Sequence, residues 1–123
     1  MNTQTYEELT TKKCMACEGG VEKYSPQQAE AQLASLSGWR LTRDGQRVRK
    51  DWQARDFPSG MEFLGQVAQL AQQEGHHPDL HLEDYRHVWI ELWTHAVGGL
   101  TDNDFILAAK IDQLPTSWIK QPN

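Results

Sequence analysis

All five histidines of this 123-residue chain lie between His76 and His95. His76 and His77 are adjacent and run into Pro78; His81 and His87 follow, and His95 closes the run. Imidazole titrates near ~6.5, so at neutral pH it can both take and give a proton. A histidine pair at a helix end can meet another histidine at a strand end across a short hairpin. That would gather several acid–base groups into one pocket, as proton-transfer chemistry requires. Two other roles compete. A cationic side chain at a helix C-terminus interacts favourably with the helix dipole, with no chemistry attached. His76, His77 and His95 also carry enough nitrogens for a zinc site. The metal reading is the weaker one, because adjacent side chains diverge and the chain has neither HExxH nor a helical i, i+4 histidine pair. No metal is expected. His81 and His87 read as solvent-facing, and Trp89 and Trp93, on one strand face, read as packing.

The elements that must position these residues are written plainly. Ser25-Pro26-Gln27-Gln28 combines a capping serine, a proline suited to the first helical position and a glutamine able to reach back. Ala29, Leu33 and Leu36 then recur at helical spacing, and Gly38 ends this first helix. Trp39 and Leu41, then Val48, Lys50 and Trp52, have strand spacing about Asp44-Gly45, a dipeptide that supplies positive φ in a tight turn. Asp56 can cap a second helix running to about Glu74, with Pro58 in its first turn and Gly75 placed to end it. This helix carries two apolar stripes, one of Met61, Leu64, Ala68 and Ala71 and one of Phe63, Val67 and Leu70. So wide an apolar arc needs cover on two sides, one of them a partner subunit. Leu80 and Leu82 mark a third strand. Val88, Ile90, Leu92 and Thr94 mark one face of a fourth, with Trp89, Glu91, Trp93 and His95 on the other. Gly98-Gly99 breaks it. Thr101 caps a third helix with Asp104 three positions on, a carboxylate variant of the capping box, and Pro115 ends it. The expected fold is α+β, αββαββα: a four-stranded antiparallel sheet with three helices packed on one face.

The formal net charge is −5 without a basic run, which argues against nucleic acid or an anionic membrane as partner. No apolar stretch is long enough to span a bilayer, and the N-terminus lacks a secretory pattern, so a soluble cytoplasmic protein is expected. Cys14 and Cys17 form a single CxxC, which is half a zinc site and lacks the flanking strand and helix of a thioredoxin motif. Residues 1–24 read as a mobile leader with no fold of its own, 25–115 as the domain and 116–123 as a C-terminal tail.

His76-His77-Pro78, six residues, Tyr85, nine residues, His95, eight residues and Asp104 together resemble the signature of the pterin-4a-carbinolamine dehydratase family. The likeness extends over residues 25–112 and includes Trp39, the Phe57 region and the passage Thr94-His95 to Gly99-Leu100-Thr101. It implies a small αββαββα domain that forms homodimers or homotetramers. The implied activity is loss of water from 4a-hydroxytetrahydropterin to give quinonoid dihydropterin, recycling the cofactor of aromatic amino acid hydroxylases. No metal or organic cofactor is implied. By this resemblance His76, His77 and His95 are the active-site histidines, with His76 and His95 as acid and base and His77 holding the substrate. Substrate contacts are expected from Gln72, Glu74, Pro78, Asp79 and Thr94. One departure stands out: the family usually carries an acid four positions before the first histidine, where this chain has Gln72. An amide there can hydrogen-bond but supplies no negative charge. His76 and His95 sit at element ends, so replacing either is expected to cost no more than about 1 kcal/mol of stability.

Overall fold

The helix starts anticipated at Ser25, Asp56 and Thr101 are all made. A computed structural model describes residues 3–15 and 22–120. In it Ser25 and Gln28 form a reciprocal capping box on α2 (Pro26–Leu33), preceded by α1 (Tyr6–Thr11). The Asp56 carboxylate accepts from the Ser59 N–H at the start of α3 (Phe57–Glu74), and Gly75, at φ 67°, closes that helix in the left-handed conformation. Thr101 and Asp104 form the capping box of α4 (Asp102–Asp112). Helix α2 stops at Leu33, short of Gly38. Residues 34–36 continue as turns, and Gly38 reverses the chain at φ 86°.

The strands are β1 (Arg40–Thr42), β2 (Arg47–Gln53), β3 (Asp79–Glu83) and β4 (His87–Leu92), in the spatial order β1-β2-β4-β3, and every pairing is antiparallel. The first hairpin turns through positive φ at Arg43, Asp44 and Gly45. Register places Val48 opposite Leu92, Lys50 opposite Ile90 and Trp52 opposite Val88. Alternation then sends Val48, Val88, Ile90 and Leu92 inward, where they are fully buried with Val67 and Phe105 of the helices. Gly60 lets α3 lie close on the sheet, since a side chain there would touch Leu82 and Val88 at 3.4 Å. The α+β fold is as expected, with one helix more than the sequence suggested.

That extra helix lies in the N-terminal segment expected to have no fold. Thr5 and Glu8 form a capping box, Leu9 is fully buried, and α1 packs on α4. Residues 12–15 then dock against the rest of the domain. Lys13 Nζ donates to the Gln73 carbonyl, Cys14 N–H to Glu74, and Asn103 clamps the Met15 backbone from both sides. The mostly polar composition hid this because Leu9, Cys14 and Tyr6, scattered and without a stripe to read, hold the segment together with hydrogen-bond tethers to distant residues. Burial, and after it the neighbouring Glu74 carboxylate, pushes the Cys14 thiol up to about 12, so it stays protonated. Cys17 and Gly19-Gly20 lie outside the described residues, and with them the rest of the CxxC reading. The C-terminal segment also packs. Trp118 stacks on Phe63 with centroids 4.0 Å apart, and Ile119 bridges to Ala54.

Candidate active site

Gly75 sets the geometry of the histidine pair. Its left-handed turn folds the chain back so that His76 N–H donates to the Ala71 carbonyl at 3.2 Å, which carries the His76 ring into the protein. His76 is 7% exposed, and its Nε2–H donates to Asp104 Oδ1 at 2.6 Å. Asp104, at the third position of α4, is fully buried. Its second oxygen accepts from Thr94 Oγ1 at 2.8 Å and from the Thr101 N–H at 3.0 Å. Since the Thr94 hydroxyl is spent on Asp104, the Thr101 hydroxyl must donate to Thr94, 2.9 Å away. The chain Thr101–Thr94–Asp104–His76 is thus a closed polar network inside apolar surroundings. Its carboxylate orients the imidazole through Nε2, and Nδ1 makes no hydrogen bond to a described residue.

Strand β4 ends at Leu92, and Thr94 bridges to Gly99 around the 3-10 turn His95–Val97. His95 therefore sits on a turn and not on the strand end that alternation suggested. A cleft of about 190 Å³ lies between this turn and the end of α3, lined by Gly75, His76, His77, Trp93, Thr94, His95 and Ala96. All three anticipated histidines meet there, His76 buried, His77 and His95 exposed. Larger hollows lie elsewhere among the described residues. One of about 450 Å³ contains Asp51 and His87, but Asp51 is already engaged by Arg49, His87 and Arg40 and is held well below the usual carboxylate range, first by Arg49.

A family model described as pterin 4 alpha carbinolamine dehydratase matches residues 22–114, about three quarters of the chain. The chain belongs to this family. It is 46% identical over 110 residues to pterin-4-alpha-carbinolamine dehydratase 2, mitochondrial, of Arabidopsis thaliana, covering 87% of this chain and 59% of that protein. Proteins of Azoarcus sp. strain BH72 and Dechloromonas aromatica strain RCB, assigned to the same dehydratase, are 39% and 41% identical, over 87% and 86% of this chain and 91% and 92% of theirs. The fold matches the crystal structure of a transcriptional coactivator/pterin dehydratase from Brucella melitensis with a TM-score of 0.68 at 25% identity, over 74% of this chain and 96% of that one.

Within this dehydratase fold the other anticipated site residues part company. Thr94 is in the network just described. Gln72 Oε1 accepts from His77 Nε2–H at 3.1 Å, so the amide standing where the family usually has an acid reaches the cleft through a histidine. Glu74 faces away from the cleft and holds Cys14 N–H and Lys110 Nζ, the latter at 2.7 Å. Burial raises its pKa, but the Lys110 and Cys14 hydrogen bonds outweigh burial and leave it below the ordinary value. Asp79 accepts from Trp93 Nε1 at 3.2 Å and lies 3.8 Å from Arg47. Neither Asp79 nor the half-buried Pro78 lines the cleft. His81 and His87 do lie on the sheet's outer face, yet each has a partner: His81 stacks on Trp89, and His87 pairs with Asp51. Trp89 and Trp93 are likewise outside the core cluster, each under an arginine. Asp104, the carboxylate that holds His76, is the residue of this cleft's polar network that sequence reasoning undervalued. The available signal was a carboxylate inside a helix whose residues 103–109 are all buried, where a cap alone would not need to be so deep.

Proposed function

We propose that the chain catalyses dehydration of 4a-hydroxytetrahydropterin to quinonoid dihydropterin, a hydro-lyase step that recycles the pterin cofactor of aromatic amino acid hydroxylases. The observation that carries this reading is the meeting of His76, tied to buried Asp104, with His77 and His95 on one cleft. The reaction breaks the C4a–O bond and the N5–H bond. The electron pair of the N–H bond becomes the second bond of C4a=N5, the hydroxyl leaves with an added proton as water, and no net electron is gained or lost. One group must give a proton and one must take it. His76 and His95 are those groups in this reading. His77, steadied by Gln72, holds the substrate, and Thr94 and Asp104 keep the His76 ring in one tautomer.

The test is dehydration of chemically generated 4a-hydroxytetrahydropterin followed by absorbance. A rate well above the uncatalysed one between about pH 6 and 8, where histidines change charge, is expected; a rate equal to it overturns the reading. Gln72→Glu would set a carboxylate against His77, and a gain in rate would show that the amide limits the natural site. A second reading, pterin binding in an assembly role without turnover, draws on the double name of the Brucella protein. Rapid turnover by the purified chain alone counts against it.

The same proposal includes a homodimer or homotetramer. Phe57 and Met61 on α3 are 50% and 51% exposed, and Ala68 extends the stripe. A monomer in sedimentation at micromolar concentration would reject this. The partner is a small pterin, with neither nucleic acid nor membrane, in keeping with the net charge of −5 and with the lack, among the described residues, of a helix long and apolar enough to cross a membrane. The location proposed is cytoplasmic, which cell fractionation tests.

A further inference from the structure

We propose that Trp93 is a positioning residue: it fixes the ring of His95 in the cleft, and an ion-pair frame on the outer face of the sheet fixes Trp93. The inference rests on the cleft being the dehydratase site. His76 and His77 each have a hydrogen bond that orients the ring. His95 is exposed on a 3-10 turn, and its ring makes no hydrogen bond to any described residue. An untethered imidazole there would sample several rotamers, and proton transfer needs one. The contact that restricts it is the indole of Trp93, with ring centroids 4.0 Å apart at an interplanar angle of 32°.

Trp93 is itself held from two strands, and a third anchors one of the holds. Its Nε1–H donates to Asp79 Oδ2 of β3, which sets the rotation of the indole. The Arg47 guanidinium of β2 lies 4.3 Å from the ring centroid, a stacking contact that a planar cation makes well. Arg47 is anchored by Glu91 of β4 at 2.8 Å, and Glu91, 6% exposed, also accepts from Thr42 Oγ1. Burial raises the Glu91 pKa, but Arg47 and Thr42 outweigh burial and lower it, so the anchor is a carboxylate at working pH. A buried ion pair is a poor source of stability and a good source of fixed geometry. Here its geometry passes through one aromatic ring to one cleft histidine. The sheet also carries a second stack of the same make-up, Arg49 over Trp89 at 3.7 Å with His81 on Trp89 at 3.5 Å, far from any cleft histidine. It serves as the internal control.

Steady-state dehydration kinetics on the full chain test the inference. Trp93→Leu is expected to lower kcat about 10-fold or more with KM within about 2-fold, as misplacement of an acid–base group does. Trp93→Phe, which keeps an aromatic face, is expected to retain activity within about 3-fold of wild type. Trp89→Leu is expected to leave the rate unchanged. In a His95→Ala background Trp93→Leu should add little further loss, because the two residues act as a unit. An undiminished second loss, or a Trp93→Leu enzyme as fast as wild type, overturns the proposal. Should wild type prove inactive, the functional reading fails separately. The positioning contact is then read from NMR, where the ring current of the aromatic side chain at position 93 displaces the His95 ring protons in wild type and in Trp93→Phe but not in Trp93→Leu. Undisplaced His95 protons in wild type overturn it, and the same readout on Arg47→Met serves if Trp93→Leu does not fold.

Discussion

The two sides of the cleft hold their histidines by opposite means. On the deep side His76 is 7% exposed and bound to a fully buried carboxylate whose other oxygen serves Thr94 and the start of α4. On the rim His95 and His77 are exposed and rest on a ring face and an amide. In the low-dielectric interior a hydrogen-bonded network is strong when complete and costly when one member is lost, whereas contacts at the rim contribute little to folding. In the proposed reading, chemistry and folding are therefore coupled at one end of the cleft and separable at the other. The sequence-based expectation is a cost of no more than about 1 kcal/mol for replacing either His76 or His95; the burial of His76 argues for a larger cost there. Standing at the end of α3 does not expose His76, because Gly75 turns it inward.

Asp104 is where breaking the network should cost most. Asp104→Ala strands three donors, those of His76, Thr94 and Thr101 N, and removes the Asp104 half of the α4 capping box, leaving the Thr101 cap. Loss of a buried charged partner costs about 3–5 kcal/mol, and urea unfolding is expected to show a change of that size with a dehydration rate at least about 100-fold lower. Asp104→Asn, which keeps the shape and one acceptor, should cost less in stability and still lose rate. If Asp104→Ala unfolds within about 1 kcal/mol of wild type, the deep side is no more coupled to folding than the rim.

The histidines themselves give the next contrast. His95→Ala should lower the rate by roughly 100-fold and leave stability within about 0.5 kcal/mol. His76→Ala should lower the rate as much and also destabilise by about 2 kcal/mol, because it leaves a buried carboxylate oxygen without its partner. Equal stability losses in the two variants would erase the distinction between the two sides.

Most of the frame was legible because local rules and tertiary contacts agree. The boxes Ser25–Gln28 and Thr101–Asp104, the caps at Asp56 and Gly75, and the alternation of Val88, Ile90 and Leu92 each describe what the chain does. What was hidden depends on contacts between residues far apart in sequence. Asp104 looks complete as a cap, and only the fold shows His76 at its other oxygen. Helix α1 rests on Leu9, and residues 13–15 on Gln73, Glu74 and Asn103, more than fifty positions away. Glu74 and Asp79 are close to the histidines in sequence, yet the twist of α3 and the pleat of β3 aim them elsewhere.

Glu74 supplies the smallest expected effect and the cleanest boundary for the site. It immediately precedes Gly75 and His76, yet its partners are Lys110 and the Cys14 N–H, so its part is to hold the N-terminal segment and α4 to the end of α3. Its folded pKa is below the ordinary 4.5 because the Lys110 and Cys14 hydrogen bonds outweigh burial. The unfolded chain therefore binds this proton more readily than the native one. The stability that Glu74 contributes is complete above the unfolded value and is lost as pH falls through the lower folded value. Glu74→Gln should cost about 1 kcal/mol at pH 7 and flatten the fall in stability below about pH 5. Between about pH 6 and 8, the range in which histidines in general change charge, its dehydration profile should follow wild type. A Glu74→Gln enzyme with a displaced profile in that range would move Glu74 into the site and extend the coupled side of the cleft by two residues along α3.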